Sequence, residues 1–178
     1  MKPPTERRSD TDARTAFLDS YGADLGILIL RLTVGLVLAG HGAQKLFGLF
    51  GGPGLAATGR QFAELGYHPG TFNAGLAGAS ELLGGLGLAA GFLTPLAAAA
   101  VVGVMINAMA VTASHGLWST DGGLEYPMCM AAAALAIAGV GPGRLSLDRP
   151  FPWHRGTVRT GAFALGAGGL GAAVVLAL

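Results

Sequence analysis

Charge is scarce in this chain, and where it is missing matters most. Only 12% of its 178 residues are charged, about half the roughly 25% usual in a soluble domain. Between Glu81 and Asp121 there is no Asp, Glu, Lys or Arg at all. That gap is too long for one helix and suits two spanning segments joined by a tight turn. Cysteine is nearly absent. The lone Cys129 excludes an intramolecular disulfide and any CxxC redox pair. It reads as a small apolar core residue. There is no Walker loop, no placed G-x-G-x-x-G and no nucleophile–base motif, so the chain carries no self-contained catalytic motif. The apolar runs do not alternate, which excludes a transmembrane β-barrel. No nucleic-acid partner is expected.

What is present is apolar and small. The chain is 52% hydrophobic with 31 glycines, and its mean hydropathy is +0.56. So many glycines would weaken soluble helices, but in a bilayer small residues let helices approach closely. The expected fold is all-α: a polytopic membrane protein built as a four-helix transmembrane bundle plus a fifth, C-terminal transmembrane helix. Residues 1–24 read as a polar cytoplasmic tail, mobile and leading into a short interfacial helix near Phe17–Tyr21. It lacks the early apolar run and cleavage site of a signal peptide. Residues 25–149 form the membrane domain, with helices at about 25–47, 72–92, 95–114 and 126–140. Residues 150–178 supply a linker and the last helix, from about Thr157. A short interfacial helix is expected around Gln61–Leu65, and Gly87–Gly91 forms a G-x-x-x-G pair.

Lys and Arg set the orientation. Lys2, Arg7, Arg8 and Arg14 precede the first helix, and Arg144, Arg149, Arg155 and Arg159 lie between the fourth and fifth. The opposite side holds only Lys45 and Arg60. The positive-inside rule then places the N-terminus in the cytoplasm of a multi-pass inner-membrane protein.

Residues 25–50 organise the chain. At 100° per residue, Arg31, Gly35, Leu38 and Lys45 share one narrow helical face, with His41 about 80° from Arg31. Ionisable groups at membrane depth usually face a protein interior. Counting 1.5 Å per residue from the cytoplasmic side, Arg31 lies roughly 9 Å deep, Glu81 roughly 15 Å, Asn107 roughly 18 Å and His41 roughly 24 Å. Arg31, Glu81 and Asn107 are therefore expected to form an intramembrane polar cluster. It reads either as a functional site or as a self-neutralising pair that pins two helices. His41, Gln44, Lys45, His115, Glu125 and Tyr126 would line an outward-facing mouth that holds a quinone or similar ligand. The alternative for Gln44 and Lys45 is an interfacial cap, with the lysine snorkelling to headgroups. Haem or metal on His41, His115 and Glu125 is disfavoured, because nothing in their spacing is diagnostic. His68 and His154 have no constellation around them, so no metal and no certain cofactor is expected.

These residues carry a resemblance. RLTVGLVLAGHGAQKLFG at 31–48, SELLGGLGLAAGFLTPLAA at 80–98, the Asn107 helix and GGLEYPMCMAAAALAIAGVGPGRLSLD at 122–148 together resemble the DoxX family of small bacterial membrane proteins. The resemblance covers about residues 25–149 and implies a four-helix bundle in the cytoplasmic membrane. The family takes its name from a subunit associated with a thiosulfate:quinone oxidoreductase and terminal oxidase, and other members are linked to oxidative or thiol stress. Arg31, His41, Lys45, Glu81 and Glu125-Tyr126 match its recurrent polar positions. The resemblance thus implies a subunit or accessory of a membrane redox complex, with redox-enzyme partners in the bilayer, a homo-oligomer as a further option, and quinone as the candidate ligand. A proton-coupled transporter and a structural anchor or assembly factor stand as alternatives. Whether the chain is itself an enzyme stays open on the sequence alone.

Overall fold

The structure, a computed structural model, describes the backbone of residues 4–177 and the side chains of residues 21–177. Among the described residues there are six α-helices and no strand: α1 (Pro4–Phe47), α2 (Gly54–Glu64), α3 (Gly70–Ala90), α4 (Thr94–Thr112), α5 (Glu125–Val140) and α6 (Val158–Ala177). Helix α1 runs unbroken past residue 24, and Phe17–Tyr21 is part of it rather than a separate interfacial helix. No proline falls between Pro4 and Pro53, and a proline in a helix's first turn is tolerated. Nothing in that stretch therefore breaks the helix.

Tyr21–Phe47, Thr94–His115 and Val158–Ala177 are long and apolar enough to cross a membrane, and α5 is a shorter apolar helix. Helix α3 has 21 residues, but Asn73, Glu81 and its glycines lower its apolarity. The chain is a multi-pass helical membrane protein. Its large apolar side chains point outward, as Ile29, Leu83 and Leu170 do. Small residues fill the seams between helices, as expected where lipid is the outer solvent.

Helix α1 packs chiefly on α3, and α4 packs on α3, α5 and α6. A Cβ on Gly85 would sit 2.5 Å from the Gly35 carbonyl oxygen, and one on Gly42 would sit 2.5 Å from that of Gly78. These contacts fix the register of α1 against α3. On the other side, a Cβ on Gly168 would lie 2.7 Å from the Ala99 oxygen, so α6 is a full member of the bundle. Leu38, Leu88, Val101, Val102, Met105 and Ile137 are fully buried between these seams.

Two sequence expectations change here. Gly87 and Gly91 do not form a helix–helix motif. Gly91 is the left-handed residue that ends α3 (φ 61°), and Phe92 N–H donates back to the Gly87 carbonyl at 2.8 Å, a Schellman closure. Cys129 is exposed rather than in the core, because α5 turns Pro127, Ala131, Ala134 and Ala138 inward instead.

Candidate functional site

The glycine-set register decides which polar groups meet. Gly35 faces Gly85 and Ala89, and Gly42 faces Gly78 and Leu82. Glu81 therefore lies level with Gly42–Lys45, and Arg31 lies beyond it, at the far end of α3. Arg31 and Glu81 do not pair. Counting depth from each helix's own end assumes that α1 and α3 start at one level, and they do not.

Arg31 instead ties off the end of the bundle where α3 stops and α4 starts. It is 1% exposed. Its Nη2 donates to the Ala89 carbonyl at 3.2 Å and to that of Leu145 at 2.9 Å, and Nη1 donates to that of Pro142. Only Nε lacks a partner. Gly91 is required beside it, since a Cβ there would meet Arg31 Nη1 at 2.7 Å. Next to this knot, the fully buried Asp148 accepts from Leu93 N–H and Thr94 N–H, each at 2.8 Å. It thereby caps α4, whose first four N–H groups have no partner within the helix. Leu147 N–H and Asp148 N–H return to the Ala90 and Gly91 carbonyls at 3.2 and 2.8 Å. The segment after α5 is thus stitched to the α3–α4 turn, and Arg31 closes it from the third side.

The second polar centre lies in the other half. Lys45 Nζ donates to Glu81 Oε2 at 2.7 Å, with side-chain exposures of 25% and 6%. This pairing replaces the reading of Lys45 as an interfacial cap. The ion pair forms part of the wall of a cleft of about 420 Å³ lying over α4 between α3 and α6, with Phe62, Leu65 and Tyr67 at its outer end. Most of the wall is apolar: Leu76, Ala99, Ala100, Val104 and Val175 are typical. Ser80, Asn73 and Asn107 also line it. Asn107 Oδ1 accepts from the Tyr67 hydroxyl at 3.3 Å, while its Nδ2 donates to the Gly103 carbonyl at 3.1 Å. That bond joins the loop after α2 to α4 across the outer end. Burial pushes the Tyr67 phenol above the usual tyrosine range, which keeps it a donor. Asn73 Nδ2 donates to the Pro69 carbonyl at 3.2 Å, and its Oδ1 is buried without a partner.

The expected outward mouth is not one site. Only Lys45 of its members lines the cleft. His41 packs tilted against Tyr126, ring centroids 5.5 Å apart. Gln44 Nε2 donates to the Phe50 carbonyl at 3.4 Å, bracing the turn at Leu49–Gly51. His115 is exposed beside Ser114, and Glu125 accepts from Ser119 N–H at 3.0 Å. The loop between α4 and α5 folds on itself, with Leu124 N–H and Glu125 N–H donating to the Gly116 and Leu117 carbonyls at 3.1 and 2.8 Å. Of the expected intramembrane cluster, Glu81 and Asn107 share the cleft and Arg31 does not. Tyr67, Asn73, Ser80 and Asp148 escaped sequence reasoning. A polar residue within a turn of a buried acid marks Ser80, and Asn73 and Tyr67 flank the start of α3.

A multi-pass bundle of small-residue seams with one polar-floored cleft is the class of protein in hand. Residues 26–115 match the family model described as DoxX. An uncharacterized membrane protein of Mycobacterium tuberculosis is 31% identical over 134 residues, which are 69% of this chain and 79% of the relative. The chain belongs to the DoxX family. No solved structure matches it.

Proposed function

We propose that this chain is a multi-pass subunit of the bacterial cytoplasmic membrane, N-terminus inside, that holds the head of a quinone in the α3–α4–α6 cleft beside a redox-enzyme partner. The observation that carries the reading is the apolar cleft of about 420 Å³ with the Lys45–Glu81 pair on its wall. Ligand sites for amphipathic molecules are mostly apolar, with a few placed polar groups. An ion pair inside the membrane costs desolvation on both partners, so one left facing a cavity is a site in waiting. The orientation rests on the asymmetry of Lys and Arg across the spans. Electron chemistry would belong to the quinone and the partner, and this chain would bind and orient.

Purification in mild detergent followed by lipid extraction tests the reading. Wild type is expected to retain ligand, oxidised and reduced forms counted together, and a folded Glu81→Gln protein is expected to retain less of it in the reduced form. A wild-type protein that repeatedly yields no quinone, and pulls down no redox enzyme, overturns it.

A further inference from the structure

The polar groups in the cleft are not used evenly. Glu81 lines the cleft and its Oε2 takes the Lys45 ammonium, whereas Oε1 has no hydrogen bond among the described residues. Lys45 has three donors, of which Glu81 uses one. The neighbouring Ser80 also lines the cleft. The wall therefore offers a bare carboxylate acceptor beside spare ammonium donors. Of the two oxygen groups a quinone-type head can present, a hydroxyl satisfies both at once, donating to Oε1 and accepting from Nζ. A carbonyl accepts only. It would satisfy Lys45 and set its own oxygen near a carboxylate oxygen with no proton between them.

We infer that the cleft selects the hydroxyl-bearing, reduced form of its ligand, a quinol, over the corresponding quinone, with Glu81 Oε1 as the discriminating acceptor. This rests on the quinone-site reading above and adds which redox form is held. A site built to bond a hydroxyl discriminates against the analogue that lacks it, because the buried acceptor is then left unmet. The expected preference is about tenfold or more. No electron or proton transfer is needed for the selection. Both forms bind intact.

The test is an anaerobic titration of the full chain in nanodiscs with decyl-ubiquinol and decyl-ubiquinone. Wild type should bind the quinol at least about tenfold more tightly. In Glu81→Gln the amide oxygen would face Lys45 and the amide N–H₂ would face the ligand. The preference should then vanish or invert toward the quinone. Equal affinities in wild type, or tighter quinone binding, overturn the selection and leave the quinone site standing. Failure of both forms to bind overturns the site itself. The wild-type ratio needs no variant, so a Glu81→Gln protein that fails to fold does not remove the test.

Discussion

Arg31 and Glu81 sit on neighbouring helices, 1% and 5% exposed, yet their polar atoms are used in opposite ways. Arg31 aims its guanidinium at three backbone carbonyls from two separate segments, the end of α3 and the loop after α5. Beside it, Asp148 spends both carboxylate oxygens on the Leu93 and Thr94 N–H groups, while Arg31 Nε and Thr94 Oγ1 are buried without a partner. Glu81 meets one side chain and keeps an oxygen toward a cavity. A charge consumed by backbone is architecture, because arginine's planar fork suits fixed acceptors. A charge with unused bonding capacity beside a cavity is available to something else. The comparison separates two residue positions that the sequence alone presents as one cluster.

The largest effect should come from Arg31→Met. It strips donors from three carbonyls, and each buried acceptor left unmet costs about 1–3 kcal/mol. Detergent unfolding of the full chain should show a loss of several kcal/mol, and Arg31→Lys should restore only part of it. Wild-type stability in Arg31→Met would break the contrast outright. Gly85→Val comes next. It forces α1 off α3, and overpacking of this kind costs about 1–3 kcal/mol. Because the same seam sets the level of Lys45, ligand binding should fall with stability. Asp148→Asn, which keeps the shape but loses one acceptor oxygen, should cost about 1–2 kcal/mol, with ligand affinity unchanged.

Glu81→Gln sharpens the comparison from the other side. Breaking a fully buried pair costs about 3–5 kcal/mol, but Lys45 is 25% exposed, so Glu81→Gln should lose clearly less stability than Arg31→Met, while the quinol preference disappears. A collapse as severe as that of Arg31→Met would make both centres architectural. Tyr67→Phe should have the smallest effect, about 0.5–1.5 kcal/mol for one neutral hydrogen bond. Its pH signature has a definite sign. Burial raises the folded phenol above its unfolded value of about 10, so its contribution is complete below that value and fades as pH rises through the folded one. Stability-against-pH curves of wild type and Tyr67→Phe should run parallel from pH 6 to 9 and differ only in alkali.

The fold was largely readable because membrane helices announce themselves through missing charge. The charge-free stretch from Leu82 to Thr120 contains the end of α3 and all of α4, and the turn between them is residues 91–93, with Thr94 and Pro95 already in the first turn of α4. Glu81 and Asn107 could be placed near each other because both are isolated polar residues on consecutive helices. The partner of Arg31 could not. It depends on how far α1 slides along α3, which Gly35, Gly42, Gly78 and Gly85 set by backbone contact, and composition does not encode a slide. Backbone carbonyls as partners leave no mark in the sequence either. Asp148 was hidden for a related reason: its partners are the N–H groups of Leu93 and Thr94, far off along the chain. For Lys45 the alternative of an interfacial cap gives way, because the register of α3 on α1 brings the Glu81 carboxylate within its reach.

The Arg31–Pro142 bond spans 111 positions of sequence, and that separation is also a delay. At about 5–20 residues per second of synthesis, the acceptor carbonyl appears roughly 6–20 s after the guanidinium. Throughout that interval, α1 is a membrane helix carrying an uncommitted positive charge, held at the headgroups by its flexible stem. The Ala89 carbonyl is made 58 residues after Arg31, but the two acceptors in the loop after α5 come last, so the full knot is expected only once that loop has been made. Nascent chains halted before residue 142 should keep Arg31 reachable by water-soluble reagents, and chains that run past residue 148 should not.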